Sequence, residues 1–168
     1  MPDPAGDPNT LRVLVVDDEP LARQRLLDLL EAEDDVEVVG TAESGRRAVE
    51  QIEAHGPDLV FLDVQMPGLT GLDVVDAVGP EAMPATVFVT AYDQHALAAF
   101  ERAALDYLLK PFEDERFEQA LGRARDAVRL RHVDALQSRL RSLLDPDAAT
   151  PAPPPSPTDY LERIAVEM

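Results

Sequence analysis

The sequence contains no cysteine and only one lysine, Lys110, in 168 residues. The first absence excludes disulfides and thiolate metal sites, which suits a cytoplasmic protein without requiring one. No apolar run approaches the ~20 residues that a membrane helix needs. Residues 1–10 (MPDPAGDPNT) lack the basic start and apolar stretch of a signal peptide and read as a flexible N-terminus. Positive charge is scarce as well: 15 Lys and Arg face 33 Asp and Glu, for a net charge of −18. Such a chain is a poor partner for nucleic acid, because phosphate contacts need cations that release counterions. The three histidines, His55, His95 and His132, stand apart, without metal-ligand spacing. What is present is 45% hydrophobic residues, enough for the core of one domain with tails.

Short apolar runs alternate with helical patterns, which predicts successive βαβ units and a mainly parallel sheet. The runs are residues 11–16 (LRVLVV), 36–41 (VEVVGT), 59–62 (LVFL), 86–89 (TVFV) and 106–109 (DYLL). Several are too continuously apolar for a half-exposed strand and suit a sheet covered on both faces. Pro20 is a suitable first helical residue, and residues 21–33 follow with Leu26, Leu29 and Leu30 on one face. Ser44 caps a helix over 45–54 that Gly56-Pro57 stops; a short helix over 71–78 ends at Gly79-Pro80. The spacing predicts further helices over 94–103 and from about Glu113. The last one carries two stripes, Phe117, Leu121, Ala124 and Val128, then Val133, Leu136, Leu140 and Leu143, separated by a break in phase. Residues 126–144 therefore form a helical extension of the domain, either solvated or facing a partner. Residues 145–158 hold six prolines and make a linker that would span about 40 Å as polyproline II.

In a parallel α/β sheet, sites lie beyond the carboxyl ends of the strands, where strand order reverses. Asp17 and Asp18 follow the first strand, Asp63 the third, Thr90 the fourth and Lys110 the fifth. Three carboxylates brought together repel by roughly 4 kcal/mol per pair at ~4 Å and an effective dielectric of about 20. A purely structural arrangement avoids that. Lys110 and a divalent cation offset it, and with oxygen donors alone the cation is Mg²⁺, with Mn²⁺ as a substitute. An Asp whose charge is so screened can take a phosphoryl group, with the Lys ammonium and the Thr hydroxyl on the remaining oxygens. A flavin or nucleotide pocket on the same edge would need a Gly-rich loop after the first strand. The loop here is Asp17-Asp18-Glu19-Pro20, so that reading fails.

Four segments, VLVVDDEP (13–20), VFLDVQMPGLTG (60–71), VFVTA (87–91) and DYLLKPF (106–112), resemble the receiver domains of response regulators, in order and in spacing, over residues 11–125. The resemblance implies a flavodoxin-like, doubly wound, five-stranded parallel sheet of order 2-1-3-4-5 with an extended C-terminal helix. It implies that Asp63 is the phospho-acceptor, that Asp18 binds Mg²⁺ directly, that Asp17 does so through water, and that Gln65 adds its main-chain carbonyl. Thr90 and Lys110 would hold the phosphoryl group, Tyr107 would be the switch aromatic, and Lys110-Pro111 would be cis. Gln65 and Tyr92 flank the site and would tune acyl-phosphate lifetime; Gly68 and Gly71 serve the turn after the acceptor strand.

The same resemblance implies a sensor histidine kinase as phosphoryl donor, homodimerisation on phosphorylation, and no catalysis beyond the chain's own phosphorylation and dephosphorylation. The stretch AYDQHALAAFERAALDYLLKPF (91–112) is similar to LytTR-type (LytR/AlgR) regulators. Residues 159–168 resemble the opening of their DNA-binding domain, through which alone the protein would meet DNA to regulate transcription. Two other readings are a constitutive dimerisation module with an idle acidic site, and a hydrolase using Asp63 on small phosphate esters.

Overall fold

The computed structural model describes residues 10–91 and 104–144. The helix expected over 94–103, the linker and the tail lie outside the described residues. Five strands, β1 (Leu11–Val16), β2 (Val36–Ala42), β3 (Leu59–Asp63), β4 (Ala85–Thr90) and β5 (Asp106–Leu109), form one parallel sheet of order β2-β1-β3-β4-β5. The helices are α1 (Pro20–Glu31), α2 (Gly45–His55), α3 (Gly71–Val78) and α4 (Asp114–Leu144).

Alternation along each strand sends successive side chains to opposite faces, and both faces are covered. Val13, Val15, Phe61 and Val87 pack with Leu26 and Leu30 of α1 and with Phe117 and Leu121 of α4. Leu14, Val16, Leu62 and Phe88 pack with Ala48 and Ile52 of α2 and with Val74 and Val75 of α3. β3 and β4 are buried along their whole length, as their unbroken apolar runs require, whereas edge strand β2 is only partly covered. Phe117 stacks on Phe61 at a centroid distance of 5.6 Å and anchors the start of α4.

The expected caps are present. Ser44 Oγ accepts from the Arg47 N–H, and Gly56 closes α2 in the left-handed region at φ 54°. Thr70 and Asp73 form a reciprocal capping box at the start of α3. Asp63 and Thr90 are the last residues of their strands rather than the first beyond them. The reason is main-chain pairing: Val64 N–H donates to the Val89 carbonyl (3.3 Å), and Lys110 N–H to the Thr90 carbonyl (2.7 Å).

The chain divides into two compact units after Val128. In the first, Phe117, Leu121, Ala124 and Val128 are buried, as the first stripe of the last helix predicts. In the second, the described part is helix from residue 129 to 144, and Val133, Leu136, Leu140 and Leu143 are exposed at 42–75%. No helix among the described residues is long and apolar enough to cross a membrane.

Candidate functional site

Because β2 and β3 lie on opposite sides of β1, the loops leaving β1 and β3 diverge and open a crevice at the carboxyl edge of the sheet. The acidic residues stand there. Asp17 follows β1 directly and is fully buried. Its main-chain N–H donates to the Ala42 carbonyl (3.1 Å), and its Oδ1 accepts from the Glu19 N–H (3.0 Å). The Asp17 carbonyl accepts from Arg23 on α1 (2.8 Å), so the main chain on both sides of this carboxylate is held.

Asp63 ends β3 and is 3% exposed. Its Oδ1 accepts from the Gln65 N–H at 3.2 Å. Asp18 is half-buried, and its proximity adds to the upward shift of the Asp63 carboxyl. One oxygen from each of Asp17, Asp18 and Asp63 lies within 4.8 Å of the others. Two glycines of the following turn have physical reasons. Gly68 is in the left-handed region at φ 80°, and a Cβ on Gly71 would lie 2.4 Å from the Asp63 carbonyl oxygen.

Lys110 enters from the end of β5. Its ammonium lies 2.8 Å from Asp17 Oδ2, 3.3 Å from Glu19 Oε1 and 3.8 Å from Asp63 Oδ2. The peptide bond from Lys110 to Pro111 is cis. Thr90, fully buried at the end of β4, is tied to the Lys110 main chain through its carbonyl. The ends of three strands and the loop after β1 are thereby fastened into one unit. Gln65 is exposed on the loop after Asp63, and Tyr92 lies outside the described residues.

Electrostatics follow from this packing. Burial pushes the Asp63 carboxyl up to about 7, and the nearby Asp17 carboxylate adds to the rise. The Lys110 ammonium and the Gln65 N–H oppose it. Burial would lower Lys110, but its hydrogen bond to Asp17 and the negative charges of Asp63 and Asp17 outweigh that and raise it. Lys110 is therefore a fixed cation at neutral pH. Three hard oxygen donors and a surplus of negative charge over Lys110 alone fit a divalent cation that prefers oxygen. A cleft of about 410 Å³ opens beside the site, lined by Asp17, Glu19, Arg25, Ala91, Lys110 and Phe112 among others. The sequence alone points to no such cleft.

Tyr107 is partly buried on β5, opposite Phe88 and packed against the core cluster that contains it. Its surroundings were not legible in the sequence. Asp106, 1% exposed, accepts two hydrogen bonds from Arg116 (2.8 and 3.2 Å) and one from Arg123 (3.3 Å). The only signal for Asp106 was a charged residue opening an apolar run. Glu19 was visible as part of the acidic loop, but nothing in its spacing showed that it reaches Lys110.

Residues 13–122 match the family model described as "Response regulator receiver domain". The chain is 44% identical over 133 residues to the transcriptional regulatory protein BtsR of Salmonella typhi, covering 79% of this chain and 56% of that protein. It is 47% identical over 118 residues to an uncharacterised response regulatory protein of Vibrio vulnificus, covering 70% of this chain and 49% of that one. The chain thus spans about half the length of the curated relatives it matches. Among solved structures, the response regulatory domain of protein mrkE from Klebsiella pneumoniae superposes with a TM-score of 0.65 at 32% identity, covering 70% of this chain and 98% of that one. With a sheet of order 2-1-3-4-5, an acidic crevice at its carboxyl edge and this match over most of its length, the chain belongs to the response regulator receiver domain family.

Proposed function

We propose that Asp63 accepts a phosphoryl group from the phosphohistidine of a sensor histidine kinase. The observation that carries this reading is the gathering of Asp17, Asp18 and Asp63 within 4.8 Å, with the Lys110 ammonium against two of them. Asp63 Oδ attacks phosphorus as the P–N bond to the donor imidazole breaks, leaving an acyl phosphate that water later hydrolyses. Asp17, Asp18, Asp63 and the Gln65 carbonyl would hold Mg²⁺, or Mn²⁺ in its place. Bound there, the cation neutralises charge on the carboxylates and on the incoming phosphoryl oxygens. Lys110 and the Thr90 hydroxyl take the remaining oxygens. Tyr107 changes pose as Thr90 moves, and this alters the face the domain presents to partners.

In the full regulator the receiver, residues 11–125, is joined by the helical extension (126–144) and the Pro-rich linker (145–158) to a LytTR-type DNA-binding domain opening at 159–168. Phosphorylation promotes homodimerisation and so controls transcription in the cytoplasm. Support comes from relatives named transcriptional regulatory proteins of nearly twice the matched length. The exposed apolar stripe of α4 supports self-association.

Incubation with radiolabelled acetyl phosphate and Mg²⁺ tests the core of this reading. The wild-type chain becomes labelled, chelation of the metal stops labelling, and Asp63→Asn abolishes it. Label retained by Asp63→Asn would defeat the assignment.

A further inference from the structure

Asp106 and Arg116 do more than neutralise each other. The Arg116 guanidinium donates to both oxygens of the Asp106 carboxylate, and one of its nitrogens also donates to the Tyr107 carbonyl at 2.7 Å. Asp106 Oδ1 in turn accepts from the Tyr107 N–H at 2.8 Å. The guanidinium carbon lies 5.9 Å from the centroid of the Tyr107 ring. One part-buried ion pair thus engages the N–H, the carbonyl and the ring of the same residue. Arg123 adds a second cation to Asp106, so the carboxylate keeps a partner even when Arg116 is replaced.

We propose that Arg116 is a positioning residue for the Tyr107 switch, holding the ring in its partly exposed pose until a phosphoryl group at Asp63 draws it inward. This rests on the assignment of Tyr107 as the switch aromatic. Tyr107 packs against the core around Phe88 but keeps part of its surface exposed, which fits the outward pose, since a ring turned fully toward Thr90 would be covered. Leaving that pose means giving up a cation over the ring face, an interaction strongest for a planar guanidinium that can stack while its fork is engaged elsewhere. Arg116 therefore biases the resting equilibrium, and a bias against the responsive pose weakens the apparent affinity of any ligand that needs it.

The chain has no tryptophan and three tyrosines, Tyr92, Tyr107 and Tyr160, so Tyr92→Phe with Tyr160→Phe leaves Tyr107 as the sole fluorophore; the unmutated chain is titrated beside it, because Tyr92 flanks the site. In that background, acrylamide quenching reports ring exposure, and titration with beryllofluoride and Mg²⁺ reports loading at Asp63. With Arg116 intact, loading should reduce quenching. Arg116→Ala should reduce quenching before loading and tighten beryllofluoride binding about two- to five-fold, the range a partly exposed cation–ring contact supplies. Arg116→Lys keeps a cation near Asp106 and guards against loss of folding; it should shift both readouts in the same direction by less.

Wild-type quenching and wild-type beryllofluoride affinity in both variants, whatever their melting temperatures, would reduce Arg116 to a neutraliser of Asp106 and overturn the proposal. If Arg116→Ala does not fold, the Lys variant decides by the same two readouts. If neither this background nor the chain with all three tyrosines binds beryllofluoride, the phosphoryl-acceptor reading fails. If it binds without any change at Tyr107, the switch assignment fails, and the role of Arg116 fails with it.

Discussion

At the scale of single residues, the carboxyl of Asp63, the proposed acceptor, is poised rather than simply ionised. Asp63 is pushed up to about 7 by burial first and by Asp17 second, so near neutrality a proton competes for it. A divalent cation bound there would have to displace that proton. Mg²⁺ affinity should therefore weaken as pH falls through about 7, with proton release on binding, both readable by calorimetry in buffers of different ionisation enthalpy. Asp63→Asn should remove this proton release.

The stability consequence has a definite sign. The folded-state pKa of Asp63 lies above its unfolded value of about 4, so the metal-free folded chain binds the proton preferentially. Stability is gained as pH falls from about 7 toward 4 and lost as pH rises through 7. In metal-free protein Asp63→Asn should raise stability at pH 8 by roughly 1–3 kcal/mol, a few degrees in Tm, and have little effect near pH 4. Equal effects at both pH values would mean that the gain is not electrostatic.

At the scale of elements, the site depends on where α3 begins. Gly71 N–H donates to the Val64 carbonyl at 3.0 Å, and the absence of a side chain lets the helix start against the main chain of Asp63. A methyl there meets backbone, which cannot rotate aside. Gly71→Ala should therefore cost about 1–3 kcal/mol in urea unfolding and also slow acetyl phosphate labelling of Asp63. Destabilisation with unchanged labelling would show that the turn adjusts without moving the carboxylate. The capping box of Thr70 and Asp73 fixes the same helix start from the other side, so the strain has little room to dissipate.

The element pattern was the most legible part of the sequence. Five apolar runs, Pro20 at the first helical position, Ser44 as a cap and Gly79 at a helix end all recur in the structure, because each is settled by the chain within a few residues of itself. Strand ends were less legible. Asp63 looks like a loop residue by composition and the apolar run before Thr90 stops at Val89, yet pairing with the neighbouring strand draws both into the sheet.

At the scale of the molecule, charge is unevenly spread. The chain carries −18 overall, while residues 123–141 hold six Arg and two Asp. The exposed stripe Val133, Leu136, Leu140 and Leu143 lies within this basic helix and repeats at the three-and-four spacing of a coiled-coil seam. Four side chains make only two heptads, fewer than the three or four that sustain a coiled coil alone. Pairing through it should be weak in the resting protein and strengthened when phosphorylation supplies a second contact. Leu136→Asp with Leu140→Asp should lower the self-association of beryllofluoride-loaded protein in sedimentation experiments and leave the loading itself unchanged. Undiminished association would assign dimerisation to the receiver surface alone.

What the sequence determined by itself was the order of elements, the covered parallel sheet and the acidic and basic residues at the strand ends, since periodicity and turn residues act over short stretches of chain. Only the tertiary structure decided how near those groups come to one another, and therefore their protonation. Asp17 and Lys110 are separated by 93 positions and meet at 2.8 Å because the strand order places the ends of β1 and β5 on one edge. The brace of Asp106, Arg116 and Tyr107, the reach of Glu19 to Lys110 and the cleft beside it follow from side-chain packing between elements distant in the chain. No local pattern encodes a burial, and it is burial first that raises the Asp63 carboxyl.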